Sequence, residues 1–475
     1  MGGLVAVRVP QRRCRGAASV ALWVAALAAV APSQDRGGVD AAIAAAEADK
    51  VRTGVAAVEL DGTFAVRHRA DERFVPASNL KLVTAAAVLR GLTPGYRFTT
   101  RFALRQGRLQ VRAGGDPNWI AGTEHAPEGM YRGLVAALQR LGVERLRGID
   151  LDPGPFTGPD RPADWPQDQL DAYYCAPTGP FVLEQGTFVV RLEPAGSIAA
   201  AALVAPFVQV PMEGRVAVTD ARRGAVYGAY DRGDRIRLQG KIWRGSDPVE
   251  IRVAVREPGR WFELALEQAL LAGGIRVDAG APSTSCEELY EFRTPLLPAL
   301  QRTLEDSSNF DAEQLARVLG AERRGDGSLA AGVTAVRAEV EDMLGGAADG
   351  LQLVDGSGLS RGNLVTPALL VRVLRATAAA PEAAPYVDAL PLAGRTGTLE
   401  DRFTGSRVAG RVRAKTGWIR GASALSGLLQ RSDGSRCAFA ILMNYDPGRA
   451  GLNQKLKQLQ ERIVEALDRR DGQGG

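Results

Sequence analysis

The rhythm of apolar and polar positions divides the chain into three stretches. Residues 54–60 read as a strand, a turn follows at Asp61-Gly62, and a second strand covers 64–67. Pro76 then introduces a helix over 78–89 that is rich in alanine and leucine. Beyond Pro94 strand patterns prevail. Residues 102–104 and 109–111 flank a Gln106-Gly107 turn as in a hairpin, with further strands at 188–192, 236–238 and 249–255. Two helices interrupt this stretch, over 130–141 and over 261–271, the second ending at Gly273-Gly274. From about Pro295 helices return, over 311–319, 329–344 and 367–377. A strand at 412–415, a hairpin of 423–430 with 436–444 around Asp433-Gly434, and a helix over 451–468 close the chain.

The order α/β, then mostly β, then α/β again predicts one domain interrupted by a large insertion. The expected division is 35–95 and 291–475 for the two parts of the α/β domain, with 96–290 inserted. At 475 residues the chain has ample length for this plan. Residues 1–31 read as an export signal: Arg8, Arg12, Arg13 and Arg15 precede an apolar stretch from Ala17 to Ala31, short for a membrane span. The expected location is therefore outside the cytoplasm, in a periplasm or on the outer face of the envelope, without a stable membrane span after cleavage.

Composition adds two points. The net charge of +5 arises from many opposed charges and not from one basic block, which argues against nucleic-acid binding. Of 59 basic residues only six are lysines: Lys50, Lys81, Lys241, Lys415, Lys455 and Lys457. Arginine keeps its proton in proteins, whereas a desolvated lysine can give it up, so each lysine merits separate attention. Cys14 lies in the signal segment, and Cys175, Cys286 and Cys437 show neither a disulfide framework nor metal-ligand spacing. Cys437, in an apolar run, reads as a buried thiol. The two histidines, His68 and His125, stand apart without a second ligand, against a zinc site or a Ser-His-Asp triad.

Three short motifs carry the chemistry: Ser78-Asn79-Leu80-Lys81 (S-x-x-K), Ser307-Ser308-Asn309 (S-x-N) and Lys415-Thr416-Gly417 (K-T-G). In this order they are a signature of β-lactamases and penicillin-binding proteins. Residues three apart share a helix face, which brings the Ser78 hydroxyl within reach of the Lys81 amine. Burial among Leu80, Leu82 and Val83 lowers the lysine pKa and suits Lys81 to act as a base, while the helix N-terminus favours negative charge near Ser78. Ser307 and Asn309 belong on a loop or helix start, Ser307 to relay a proton and Asn309 to position substrate. Lys415 and Thr416, at a strand end, can hold a carboxylate, and Gly417 lets substrate approach the backbone. Backbone N–H groups of Ser78 and Trp418 are the expected oxyanion hole. Taken alone, Ser78 also reads as a helix cap, Ser307 and Asn309 as capping residues, and K-T-G as a strand running into a turn. Asp355 reads as a loop-forming residue, and Arg395-Thr396-Gly397 as a structural mimic of K-T-G.

The surrounding residues resemble the D-alanyl-D-alanine carboxypeptidase/endopeptidase family, the class C low-molecular-mass penicillin-binding proteins. The resemblance rests on Asp355-Gly-Ser-Gly-Leu-Ser-Arg361 with Val365-Thr366-Pro367, Leu392-Ala-Gly394, Gly397-Thr-Leu399 with Arg402-Phe403, Arg413-Ala-Lys-Thr-Gly417 and Ala422-Ser-Ala-Leu-Ser-Gly427. Gly114-Gly-Asp-Pro117 and Tyr173-Tyr-Cys-Ala-Pro177 extend it into the insertion. It implies an α/β (α+β) transpeptidase/β-lactamase-like domain, with two small, mostly β domains inserted between S-x-x-K and S-x-N. The about 230 residues between Ser78 and Ser307 fit that plan. The implied activity is hydrolysis of terminal D-Ala-D-Ala, and of D-Ala-diaminopimelate cross-links, in peptidoglycan stem peptides. It also implies no metal or organic cofactor and acylation of the serine by β-lactams. Two departures stand out: Ser308 where the family commonly has aspartate, and Trp418 where it usually has threonine. A β-lactamase and a catalytically weak peptidoglycan-binding or scaffold protein are the rival expectations.

Overall fold

The computed structural model describes residues 36–469 except 205–207, 209, 224 and 234, so the signal-like segment 1–31 and Cys14 lie outside the described residues. The chain opens with α1 (Arg36–Ala48), β1 (Arg52–Glu59), β2 (Phe64–His68) and α2 (Leu80–Leu92). There follow β3 (Arg97–Arg105), β4 (Arg108–Arg112), α3 (Pro127–Arg140), β5 (Arg145–Leu146), β6 (Gly148–Asp152), β7 (Thr187–Glu193), β8 (Ala200–Val204), β9 (Met212–Gly214), β10 (Ala217–Thr219), β11 (Tyr227–Asp231), β12 (Ile236–Trp243) and β13 (Val249–Ala254). Next come α4 (Pro258–Ala272), β14 (Arg276–Val277), β15 (Cys286–Pro295), α5 (Leu297–Leu304), α6 (Asn309–Arg324), α7 (Leu329–Leu344), α8 (Pro367–Ala379) and α9 (Ala383–Asp388). The chain ends with β16 (Val412–Ile419), β17 (Ala422–Gln430), β18 (Arg436–Asn444) and α10 (Asn453–Asp468).

Strands from the two ends of the chain form one five-stranded antiparallel sheet, in the order β16-β17-β18-β1-β2. Helices cover both of its faces. On one, Ala56, Val58, Ala424, Leu428, Ala440 and Leu442 pack with α2 and α5 to α9. On the other, Val55, Ala57, Leu425, Phe439 and Ile441 pack with α1 and α10. Alternate residues of one strand therefore enter different cores, which is why β1, β17 and β18 are buried almost without interruption. Cys437 is fully buried in this sheet, and no disulfide joins Cys175, Cys286 and Cys437.

Residues between β3 and β15 build a separate core around Phe102, Trp119, Phe188, Trp261 and Phe262. The expected hairpin is β3–β4, and its Gln106 and Gly107 both take positive φ, as a tight two-residue turn requires. Its sheet runs β15-β3-β4-β6, with the β13-β7-β8 and β10-β12-β11 sheets beyond it. The α6 helix joins this core to the first one. Gln314 donates to the carbonyls of Gly115 and Gly179, and Arg317 donates to those of Thr178 and Gly327.

Ile441 is fully buried in the middle of β18. Ile441→Ala should lower unfolding free energy by about 2–5 kcal/mol, the usual cost of such a truncation. Urea unfolding of the purified protein checks this, and a loss below about 1 kcal/mol would mean that the sheet is packed otherwise.

Candidate active site

Ser78 sits in a short 3-10 turn, Ala77–Asn79, immediately before α2. The expected helix thus begins two residues later than its pattern suggested. Ala77 is held at φ +47, a conformation that residues with side chains rarely adopt. Two glycines let neighbouring backbones close on this turn. A Cβ on Gly358, at φ +84, would lie 2.0 Å from the Ala77 carbonyl oxygen, and one on Gly417 would lie 2.9 Å from that of Pro76. The buried Asn79 completes the clamp, its Nδ2 donating to the Lys415 carbonyl at 2.8 Å. Ser78 itself stays partly exposed, so its hydroxyl can be reached from solvent.

Lys81, one turn on, is fully buried. Its Nζ donates to Ser78 Oγ at 3.1 Å, to Asn309 Oδ1 at 2.6 Å and to the Ser357 carbonyl at 2.8 Å. Three acceptors match the three donors of an ammonium. Burial pushes the Lys81 pKa down to about 8, while the charges of Asp355 and Glu313 resist that fall. At neutral pH the ammonium is therefore the main form, with an accessible neutral fraction.

The S-x-N motif crosses into α6. Ser307 takes φ +62 and Ser308 caps the helix, its Oγ accepting from the Asp311 N–H at 3.1 Å. Asn309, the first helical residue, turns Oδ1 to Lys81 and donates through Nδ2 to the Tyr174 carbonyl at 2.9 Å. Its amide orientation is thus fixed from both sides. The K-T-G motif lies within β16 and not at a strand end, a difference from the expectation. Lys415 is fully buried, and its Nζ donates to the Thr416 carbonyl at 3.0 Å. Burial, and then the charge of Lys81, drive its pKa well below the ordinary lysine value, partly opposed by Asp306. Thr416 Oγ1 donates to Thr398 Oγ1 at 2.9 Å, and Trp418 is 56% exposed beside them.

Several residues outside the three short motifs also shape this site. Asp355 is the loop former expected of it: it accepts from the Gly358 and Ser360 N–H groups, Asn363 Nδ2 and Trp165 Nε1. Gln185, between β6 and β7, donates to Ser308 Oγ and Asp311, and stands with Glu184 at positive φ. Asp311 also accepts from the Arg302 guanidinium at 2.7 Å. Glu313, 2% exposed, accepts from the Gly356 and Ser357 N–H groups. Its only sequence signal was spacing, four residues after Asn309 and so on the same helix face.

The family model described as "D-Ala-D-Ala carboxypeptidase 3 (S13) family" matches residues 36–467. A D-alanyl-D-alanine carboxypeptidase from Actinomadura sp. (strain R39) is 33% identical over 414 residues, covering 80% of this chain and 75% of that protein. DacB, a D-alanyl-D-alanine carboxypeptidase from Haemophilus influenzae, is 25% identical over 393 residues, covering 78% and 80%. The crystal structure of penicillin binding protein 4 from Haemophilus influenzae superposes with a TM-score of 0.78 at 23% identity, covering 91% of this chain and 99% of that one. The fold is shared along nearly the whole chain.

Two outcomes follow from the geometry. With Lys81 as the base for the Ser78 hydroxyl, acylation of Ser78 should rise with pH through about 8 and fall below it as the ammonium forms. Stopped-flow acylation across pH measures this, and a flat profile would exclude Lys81 as the base. Gly358→Ala must push the Ala77 carbonyl aside, and in the folded fraction, as judged by circular dichroism, it should slow acylation by about 10²-fold, the scale of a displacement near 1 Å at a reacting group. Wild-type rates in that variant would mean the Ser78 turn is not clamped as described.

Proposed function

The chain belongs to the D-Ala-D-Ala carboxypeptidase 3 (S13) family, and on that premise we propose a serine peptidase that cleaves D-alanyl-D-alanine ends of peptidoglycan peptides through an acyl-enzyme. The observation that carries this reading is the buried Lys81 amine, hydrogen-bonded to the Ser78 hydroxyl at 3.1 Å. Ser78 Oγ attacks the carbonyl carbon of the penultimate D-alanine as neutral Lys81 takes the hydroxyl proton. Backbone N–H groups of Ser78 and Trp418 receive the oxyanion. The tetrahedral intermediate collapses with Ser307 relaying a proton to the leaving amine, and water then hydrolyses the ester. Asn309 and Thr416 orient the peptide, and Gly417 leaves room for its backbone. Lys415 faces the terminal carboxylate, whose negative charge favours the ammonium that burial disfavours.

The same site suits D-Ala-diaminopimelate cross-links, and β-lactams are its expected covalent inhibitors. The penicillin binding protein 4 of Haemophilus influenzae has itself been solved in complex with a β-lactam. The arginine-flanked apolar segment at 1–31 supports export to the cell envelope. Among the described residues no helix is long and apolar enough to cross a membrane. Residues 96–290 form the inserted part in this reading, and they reach the site through Tyr174 and Gln185.

Labelling by a fluorescent penicillin tests the nucleophile. The wild-type protein should form a long-lived adduct, and Ser78→Ala should lose it, with D-alanine release from a D-Ala-D-Ala peptide falling by at least about 10³-fold. Rapid turnover of the drug would favour a β-lactamase. Absence of both adduct and hydrolysis would favour a binding or scaffold role.

A further inference from the structure

Glu313 has no part in the reaction as written above, yet it is among the most enclosed charged groups beside the site. It lies on the second turn of α6, 2% exposed. Its Oε1 accepts from the Gly356 N–H at 3.0 Å and the Ser357 N–H at 2.7 Å, and its Oε2 accepts from the Gly356 N–H at 3.0 Å. The segment it holds is the one that meets α2. The Ser357 carbonyl accepts from Lys81 Nζ at 2.8 Å, and the Gly356 carbonyl accepts from Thr84 Oγ1 at 2.7 Å. Gly356 lies so close to α6 that a Cβ there would sit 3.1 Å from the Ala312 carbonyl oxygen. The Gly356-Ser357 backbone is thus wedged between Glu313 and the helix that bears Lys81 and Thr84.

Resting on the peptidase reading above, we propose that Glu313 is a positioning residue for the Ser78–Lys81 pair. Its carboxylate fixes the Ser357 carbonyl onto the Lys81 amine and supplies negative charge that favours the ammonium. It touches neither substrate nor Ser78, and acts through Lys81.

Both roles follow from chemistry already described. A carboxylate accepting backbone N–H groups through both oxygens is in the geometry of its ionised form. Burial and the neighbouring Asp355 push its own pKa up, and the backbone N–H groups on both oxygens pull the other way and hold it as the carboxylate. The other charged groups facing this cluster are Asp355 from the same loop, Arg317 one turn further along α6, Lys415 from β16 and, beyond Lys415, Asp306. Arg317 is committed to the carbonyls of Gly327 and Thr178, and Asp355 to the turn that follows it. Of these groups, Glu313 alone both carries a negative charge and binds the N–H of the residue whose carbonyl meets Lys81.

Removing the charge should destabilise the Lys81 ammonium and free the base at lower pH. The test is the pH profile of acylation by a fluorescent penicillin in the full-length mature chain, for wild type, Glu313→Gln and Glu313→Asp. Glu313→Gln should move the midpoint to lower pH by roughly one unit, the scale of one opposite charge at close range. Glu313→Asp keeps the charge but withdraws it, and should move the midpoint the same way by less. Should Glu313→Gln not fold, as judged by thermal unfolding, Glu313→Asp decides alone. A slower rate with an unmoved midpoint in a folded variant would make Glu313 a structural strut and overturn the proposal. Wild-type labelling and its loss in Ser78→Ala serve as the control. No wild-type adduct would sink the peptidase reading and this proposal together, whereas a wild-type adduct with unmoved variant midpoints would sink this proposal alone.

Discussion

A primary amine with no exposed surface must place every donor it has, and Lys81 does so by joining three segments that are far apart in the chain. Its partners are Ser78 on its own turn, Asn309 at the start of α6 and Ser357 in the loop after α7. An unpaired buried donor costs about 1–3 kcal/mol, and a buried charge costs more. The three segments are therefore held to one arrangement as tightly as the ammonium needs them. The same enclosure makes the lysine chemically useful, because desolvation favours the neutral amine that can take a proton.

Much of the remaining structure serves to hold those segments in place. The five-stranded sheet, closed by strands from both ends of the chain, brings β16 against the Ser78 turn, where Gly417 and Asn79 let the backbones meet. The α6 helix carries Asn309 and Glu313 on one face, and it anchors the intervening region through Gln314 and Arg317. That region returns to the site by way of Tyr174, which fixes the Asn309 amide, and Gln185, which braces the cap of α6. Burial and the charge of Lys81 both disfavour the ammonium of the fully buried Lys415, and Asp306 offsets them only in part.

The elements legible in the sequence were those with strong periodicity or turn chemistry. The α7 helix, the β17–β18 hairpin and the β3–β4 turn are examples. Less legible were α1, where small residues such as Ala42 and Ala46 give a faint apolar stripe, and β15, whose charged, half-exposed residues lack clean alternation. At the site, spacing alone pointed to the pairing of Ser78 with Lys81, since i,i+3 is a local property. The contacts of Lys81 with Asn309 and Ser357 depend on tertiary packing across 228 and 276 positions, and no local pattern encodes them. Glu313 and Gln185 were missed for the same reason, because their partners, backbone groups for Glu313 and side chains for Gln185, lie on distant segments.

Scarcity of lysine makes the central claim open to direct measurement. With six lysines in the chain, NMR of protein carrying isotope-labelled lysine side chains can resolve each amine, with Lys81→Arg identifying the one of interest. The account predicts that the Lys81 resonance titrates with a midpoint near 8, well below the ordinary lysine value of 10.5. A midpoint at the ordinary value would mean that Lys81 is hydrated and unconstrained, and would contradict its assignment as the buried base on which the site is built.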